Sequence, residues 1–194
     1  MALTTHVTSN ILHIKKFSGK IAGMSTLHEI GSAVRVRRTE MGLTQDLLAR
    51  LSGLSRSTVN AVENQSIGNL SIVKAVALLE SIGLSMNVNV NAAGPSSRKN
   101  APPSRSAVER AAAMASVSYG QPMTAEQLEV ALLTGEASPR IRPHLRVMLD
   151  ETPVSLLAKV VDQIHAEKSM PRAQIWNRMR NLARELQCYR LLWQ

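Results

Sequence analysis

The chain has 194 residues, of which 44% are hydrophobic and 19% charged, so it can form packed cores and is not disordered as a whole. Lys and Arg number 23 against 14 Asp and Glu, and this net charge of +9 is typical of proteins that meet phosphate or an acidic surface. The 3% aromatic content disfavours a sheet-rich enzyme, and the single cysteine, Cys188, excludes an internal disulfide framework and any multi-cysteine zinc site.

The N-terminus has neither the continuous apolar core of a signal peptide nor a membrane-length apolar run. We therefore expect a cytoplasmic protein, associated with the nucleoid when bound to DNA, with no membrane partner. A Pro/Gly/Ser-rich stretch over residues 92–106 predicts a linker. The predicted organisation is a flexible arm, a first domain, this linker and a second, helical domain of unknown role in dimerisation or partner binding (1–23, 24–91, 92–106 and 107–194).

Four short helices are predicted in the first domain. A capping box at Thr26 to Glu29 predicts a helix over residues 27–41. Thr44 caps a second helix that stops at Gly53, and Ser55 caps a third. Residues 71–82 form the fourth helix, with Ile72 and Val73 among the apolar side chains available for the core.

After Gly83 the apolar period changes to two, which predicts one strand. A lone strand leaves its backbone groups unpaired, so it must pair with the N-terminal arm or with a second copy of itself. We predict a homodimer joined through this strand, whose apolar residues are Leu84, Met86, Val88 and Val90.

The second half of the chain is helical throughout, so the predicted fold class is mainly all-α. A capping box at Thr124 to Gln127 opens one helix, which Gly135 closes. Thr152 and Pro153 open another. The last helix begins at Pro171 and carries an apolar row that continues to Trp193 (Ile175, Met179, Leu182, Leu186, Tyr189 and Trp193).

Residues 45–64, QDLLARLSGLSRSTVNAVEN, have the spacing of two helices that cross tightly while the second projects from the surface. Ala49 is small where the helices touch, Gly53 makes the turn and Leu54 fills the corner. Val59 and Val62 anchor the second helix from beneath, which leaves its polar side over residues 55–60 free. A projecting helix of this kind fits a DNA major groove.

This segment resembles the XRE/Cro family of helix-turn-helix regulators, which includes lambda-type repressors. The resemblance runs from Ile30 to Val90, and the ending ENQSIGNLSIVKAVALLESIGLSMNV is most similar to HipB-type antitoxins, where a fourth helix precedes a dimer-forming strand. It implies a lambda-repressor-like DNA-binding domain with a terminal dimerisation strand, in an autorepressor that often controls its own toxin operon. Residues 105–194 have no counterpart in it.

The resemblance also implies roles for individual residues. Four of them fall at base-reading positions, and Arg56 among them can bind guanine O6 and N7 together (Ser55, Arg56, Ser57 and Asn60). Three fall at phosphate-binding positions (Thr44, Gln45 and Thr58). Arg38 and Glu63 match an internal ion pair, and Ala61 departs from the polar residue of some relatives.

Other chemistry is weakly indicated. Asp162, His165 and Glu167 could be written as metal ligands, but Asp162 and Glu167 do not share a helical face cleanly and no second cluster supports them. His144 and Asp150 suggest acid-base chemistry, but the sequence offers no nucleophile or oxyanion donor pattern. The arginines of the last helix could meet DNA, although packing into their own domain is the simpler interpretation. We expect no enzyme activity, no metal and no cofactor.

The function predicted is a sequence-specific transcriptional repressor, which binds double-stranded DNA at a palindromic operator as a homodimer and regulates its own promoter. The alternative is an antitoxin or adaptor, whose C-terminal helices bind a protein partner such as a toxin while the first domain provides autoregulation.

Overall fold

A computed structural model describes residues 22–86, the N-terminal half, and residues 105–194, the C-terminal half. Within these ranges the chain is helical, with no strand, which confirms the all-α fold class. The helices are α1 (Ala22–Glu40), α2 (Gln45–Ser52), α3 (Arg56–Glu63), α4 (Ile72–Ser81), α5 (Ala107–Ala115), α6 (Ala125–Thr134), α7 (Arg142–Glu151), α8 (Val154–Lys168) and α9 (Arg172–Glu185), followed by a 3₁₀ turn (Leu191–Trp193). None of these helices is long and apolar enough to cross a membrane.

The caps of α2 and α3 are as the sequence predicts. Thr44 Oγ1 accepts a hydrogen bond from the Leu47 amide at 3.1 Å, and Ser55 Oγ accepts one from the Thr58 amide at 3.1 Å. Gly53 ends α2 with φ at +69°, a left-handed conformation that glycine adopts without strain. These local signals make the turn between α2 and α3 short and fixed.

Two predictions about the N-terminal helices are wrong. Helix α1 begins at Ala22, so the Thr26 to Glu29 segment lies inside the helix and does not cap it. On α4, Ile72 and Val73 are 66% and 75% exposed. Helix α4 packs on α2 and buries Leu78 and its neighbours Ala75 and Leu79, so its first turn extends past the core and these two side chains face solvent.

The dimer strand lies mostly outside the described residues, since Val88 and Val90 fall beyond residue 86. The described part, residues 84–86, has no regular secondary structure. Leu84 and Met86 pack half-buried against the core of the same chain. The predicted strand pairing between two copies therefore stays a prediction.

In the C-terminal half, α5 packs against α6, α7 and α8, and α9 lies against α6 and α8. The predicted capping box of α6 is confirmed, with reciprocal bonds between Thr124 and Gln127, and Gly135 ends the helix at φ +81°. The prediction of a single helix from Pro171 to Trp193 is wrong. Helix α9 ends at Glu185 and the chain turns at Gln187, whose φ is +56°, so Tyr189 is exposed.

The two halves share a packed interface, and buried residues of both belong to one apolar cluster. The end of α4 lies so close to α8 that a Cβ placed on Gly83 would be 2.6 Å from Ala158 Cβ. The 3₁₀ turn packs against α2, and Trp193 donates from Nε1 to the Leu149 carbonyl at 3.0 Å. The domain boundaries predicted from the linker stay a prediction, but the described parts of the two halves are in direct contact.

An ionic cluster lies in the same interface. Buried Arg37 of α1 lies 3.2 Å from a carboxylate oxygen of Asp162 in α8. Asp162 also accepts from Arg172 Nε of α9 at 2.6 Å, and Glu40 lies 3.7 Å from Arg37 and 4.0 Å from Arg172. Each buried charge therefore has a partner of opposite sign, as burial requires.

Candidate nucleic-acid interface

The surface on which α3 packs, called its seat below, is apolar and closely packed. Val59 and Val62 are buried on its inner face, and Ala49 is buried on α2 where the two helices meet. On α1, a Cβ placed on Gly31 would lie 2.2 Å from the Val62 carbonyl oxygen. No side chain fits there, because the neighbouring atom is backbone and cannot rotate away. Helix α3 is therefore held from beneath at a fixed depth and angle.

The outer side of α3 is polar and open to solvent. The structure places all four predicted base-reading residues on it, exposed (Ser55, Arg56, Ser57 and Asn60). Arg56 pairs with no carboxylate of the described ranges, so its five N–H donors are available for a ligand. Thr58, predicted to bind phosphate, is half-buried.

The hydroxyl groups at the start of α3 bind one another. Ser55 Oγ lies 2.8 Å from both Ser57 Oγ and Thr58 Oγ1, in addition to accepting the Thr58 amide. Ser55 is thus largely occupied as the helix cap. Arg56 and Asn60 retain the greater freedom to contact a base edge.

The start of α2 lies beside α3. Thr44 is exposed, and the first amides of α2 have no carbonyl partner within the helix, as at every helix N-terminus. Such amides, together with the helix dipole, suit a phosphate group. Gln45, half-buried next to Thr44, donates from Nε2 to Glu63 Oε2 at 2.9 Å and to Asn60 Oδ1 at 3.4 Å.

The predicted ion pair lies beneath this surface. Arg38 donates from Nε and Nη2 to the two carboxylate oxygens of Glu63 at 2.6 Å and 2.9 Å, and from Nη1 to the Leu43 carbonyl at 2.8 Å. Glu63 is only 3% exposed. Burial by itself would raise the pKa of Glu63, but hydrogen bonds from Arg38 and Gln45 and the nearby charges of Arg38 and Arg35 together hold that pKa below its ordinary value.

Two residues of the site escaped the sequence reasoning. Gly31 sets the distance between α1 and α3. The sequence signal for it is a glycine inside a helical pattern, because glycine there destabilises a helix by about 1 kcal/mol relative to alanine and is expected only where close packing requires it. Asn64 follows α3 as its C-cap and donates from Nδ2 to Asn60 Oδ1 at 2.8 Å. Its role depends on the orientation of another side chain, which no spacing reveals.

The arginines of α9 mainly contact the protein itself. Arg172 pairs with Asp162, and Arg178 donates to the Leu132 carbonyl at 3.5 Å and contacts Met170 sulfur. Arg180 donates to the Met41 carbonyl of the N-terminal half. Arg190, which follows α9, donates to the Thr152 carbonyl at 2.6 Å. This basic helix is therefore chiefly a structural element that joins the two halves.

Three of the residues weighed as metal ligands or acid-base groups, Asp162, His165 and His144, have other partners. Asp162 binds two arginines, and His165 Nδ1 lies 2.8 Å from the Met170 carbonyl oxygen. Buried His144 contacts the Gln121 carbonyl at 2.9 Å through Nε2. Within the ranges that the structure describes, no three His, Cys, Asp or Glu side chains are grouped so that they could hold a metal ion.

Comparison with known proteins supports the helix-turn-helix assignment. Residues 34–88 match the family model described as Helix-turn-helix, which covers α2, α3, α4 and the C-terminal part of α1. No curated protein and no solved structure is significantly similar to the chain. The N-terminal half thus carries a DNA-binding helix-turn-helix domain of the XRE/Cro type, and the function of the C-terminal half is not indicated by any relative.

Proposed function

We propose that the protein is a sequence-specific transcriptional repressor, which binds a palindromic operator as a homodimer and represses its own promoter. The match of residues 34–88 to the helix-turn-helix family model supports this proposal. The observation that carries this proposal is the exposed polar side of α3, with Arg56 unpaired among the described residues, on a rigid buried seat. A projecting helix with a free guanidinium is suited to reading guanine in the major groove.

In this arrangement each subunit places α3 in one major groove, and the two half-sites lie about 34 Å apart. Arg56 and Asn60 read bases, Ser57 and Ser55 contact the adjacent base edge, and Thr44, Gln45 and Thr58 position the domain on phosphates. Phosphate contacts release bound counterions, so the affinity should fall steeply as salt is raised.

The test is a mobility-shift titration of the full chain against the region upstream of its own gene, with competitor DNA at two salt concentrations. Arg56→Ala should lower the preference for operator over competitor about tenfold or more, because one bidentate contact to guanine contributes about 1–3 kcal/mol. The matched control is Arg110→Ala, which removes the same charge from an exposed position on α5. Equal loss in both variants, or in neither, would contradict the assignment of Arg56.

The homodimer is proposed on the period-two pattern after Gly83. Val88→Asp places a charge on the apolar side of the predicted strand, and Asn89→Asp places the same charge on the polar side. Sedimentation should give a monomer for Val88→Asp and a dimer for Asn89→Asp. A wild-type chain that sediments as a monomer at operator-saturating concentration would exclude this part of the proposal.

A second candidate, the antitoxin or adaptor of the HipB type, is favoured by one feature of the C-terminal half. A groove of about 620 Å³ beside α6 is lined by apolar side chains that include Val130, which is 52% exposed, and by Glu126 and Glu136. Exposed apolar surface with a charged margin is typical of protein contact sites. The second function predicts that the product of an adjacent gene co-elutes with the wild type and with Arg56→Ala, but not with Val130→Arg. Absence of co-elution with the wild type argues against it.

A further inference from the structure

The direction of one amide group on α3 is fixed by the structure. Asn60 is exposed, but its Oδ1 faces inward and accepts from Asn64 Nδ2 at 2.8 Å and from Gln45 Nε2 at 3.4 Å. Its Nδ2 has no hydrogen-bond partner among the described residues. The group that Asn60 offers to a ligand is therefore its nitrogen.

The origin of this direction is the buried carboxylate of Glu63. An ionised carboxylate can only accept hydrogen bonds, and Arg38 keeps Glu63 ionised by pairing with both of its oxygens. Gln45 must then turn its amide nitrogen toward Glu63, at 2.9 Å. The same nitrogen donates to Asn60 Oδ1 at 3.4 Å, so it favours the orientation in which the Asn60 oxygen faces inward, as the Asn64 bond at 2.8 Å also does.

An asparagine that pairs with adenine uses both ends of its amide, because it accepts from N6 and donates to N7. This pairing requires an outward-facing oxygen, which Asn60 lacks. Its outward nitrogen carries two N–H donors and matches a base edge made of acceptors. Guanine presents two neighbouring acceptors, N7 and O6, and thymine presents O4.

We propose that Asn60 contacts its base only as a hydrogen-bond donor and therefore selects guanine or thymine, an inference that rests on the proposed function. Glu63, Gln45 and Asn64 are the residues that position its amide. A buried residue then sets the specificity at this base pair. Glu63, at the C-terminal end of α3, determines whether the Asn60 amide presents its nitrogen or its oxygen to the DNA.

The test is selection of binding sites from a random DNA pool by the full chain, followed by titration with single-base variants. The wild type should select guanine or thymine at one position in each half-site. Asn60→Asp removes the donor and should reduce that preference about tenfold at that position alone. Asn177→Asp, the same change at an exposed position on α9, should leave it intact. Thermal melting of each variant confirms that it folds.

Asn64→Asp combined with Gln45→Ala supplies the reverse test, because the two changes remove both donors to Asn60 Oδ1 and place an acceptor beside the amide. The Asn60 amide should then turn over and shift the preference toward adenine or cytosine, whose edges carry an amino donor. A wild-type preference for adenine that falls when purine, lacking the N6 amine, replaces it would overturn the inference. So would unchanged base preferences in Asn60→Asp or in the double variant with Gln45→Ala and Asn64→Asp, and both results would leave the repressor function intact. Binding without any sequence preference would overturn the repressor function as well.

Discussion

Substitution of Gly83 by alanine tests whether the two halves pack together as described. Gly83 follows α4 with φ at +73°, and a Cβ there would lie 2.6 Å from Ala158 Cβ and 2.9 Å from the Val154 carbonyl oxygen. Both contacts belong to α8 of the C-terminal half. The variant therefore combines an unfavourable backbone conformation, about 1–2 kcal/mol, with an overpacked contact, about 1–3 kcal/mol.

Gly53 provides the matched control. Its φ is +69°, close to that of Gly83, but a Cβ there would meet no atom within 4 Å. Gly53→Ala therefore measures the backbone cost alone. In urea unfolding followed by circular dichroism, the free energy of unfolding should fall by about 1–2 kcal/mol in Gly53→Ala and by about 2–5 kcal/mol in Gly83→Ala. Equal losses in the two variants would refute the close packing of α4 on α8.

Three further predictions concern charge and reactivity. Asp162→Asn removes the nearer carboxylate partner of buried Arg37 and leaves Glu40 at 3.7 Å, so it should lower the free energy of unfolding by about 1–3 kcal/mol. Glu167→Gln, at an exposed position of the same helix, should change it by less than about 0.5 kcal/mol in the same urea assay. The pKa of Glu63 is lower in the folded chain than its ordinary value of 4.5. The stability that ionised Glu63 contributes is therefore present above pH 4.5 and is lost as the pH falls through the folded pKa. Urea unfolding between pH 6 and pH 3 should show this loss in the wild type and a weaker loss in Glu63→Gln. Burial, with a contribution from nearby Asp150, raises the pKa of Cys188 to about 11. At pH 8 only about 0.1% of the Cys188 side chains are then thiolate. Iodoacetamide should therefore label Cys188 far more slowly in the folded chain than in the chain unfolded by urea.

The parts of the fold that the sequence predicts are those with local causes. A Thr44 or Ser55 cap needs only the amide three residues ahead, and the turn at Gly53 needs only a residue that tolerates positive φ. The buried positions of α3 follow in the same way, because Val59 and Val62 lie on one side of a helix whose start is already known. Local causes of this kind are also why the helix-turn-helix segment could be recognised.

The parts that escaped prediction depend on contacts between distant segments. Ile72 and Val73 fit the apolar pattern of α4, but whether they are covered depends on which part of that helix packs on α2, and both are exposed. The end of α9 at Glu185 likewise depends on a chain reversal at Gln187 that brings the 3₁₀ turn onto α2. The sequence period continues across both places and contains no sign of either.

Helix α1 connects α3 with the C-terminal half through two adjacent arginines. Glu63 of α3 binds Arg38 of α1, and the preceding residue, Arg37, binds Asp162 of α8. Separating the halves would break the Arg37–Asp162 contact and the packing around it, and only Glu40 of the same helix, 3.7 Å away, would remain beside Arg37. The C-terminal half therefore stabilises the helix on which α3 rests. The helix that carries Arg38, the partner of Glu63 beneath α3, is thus the same helix whose Arg37 contacts the C-terminal half.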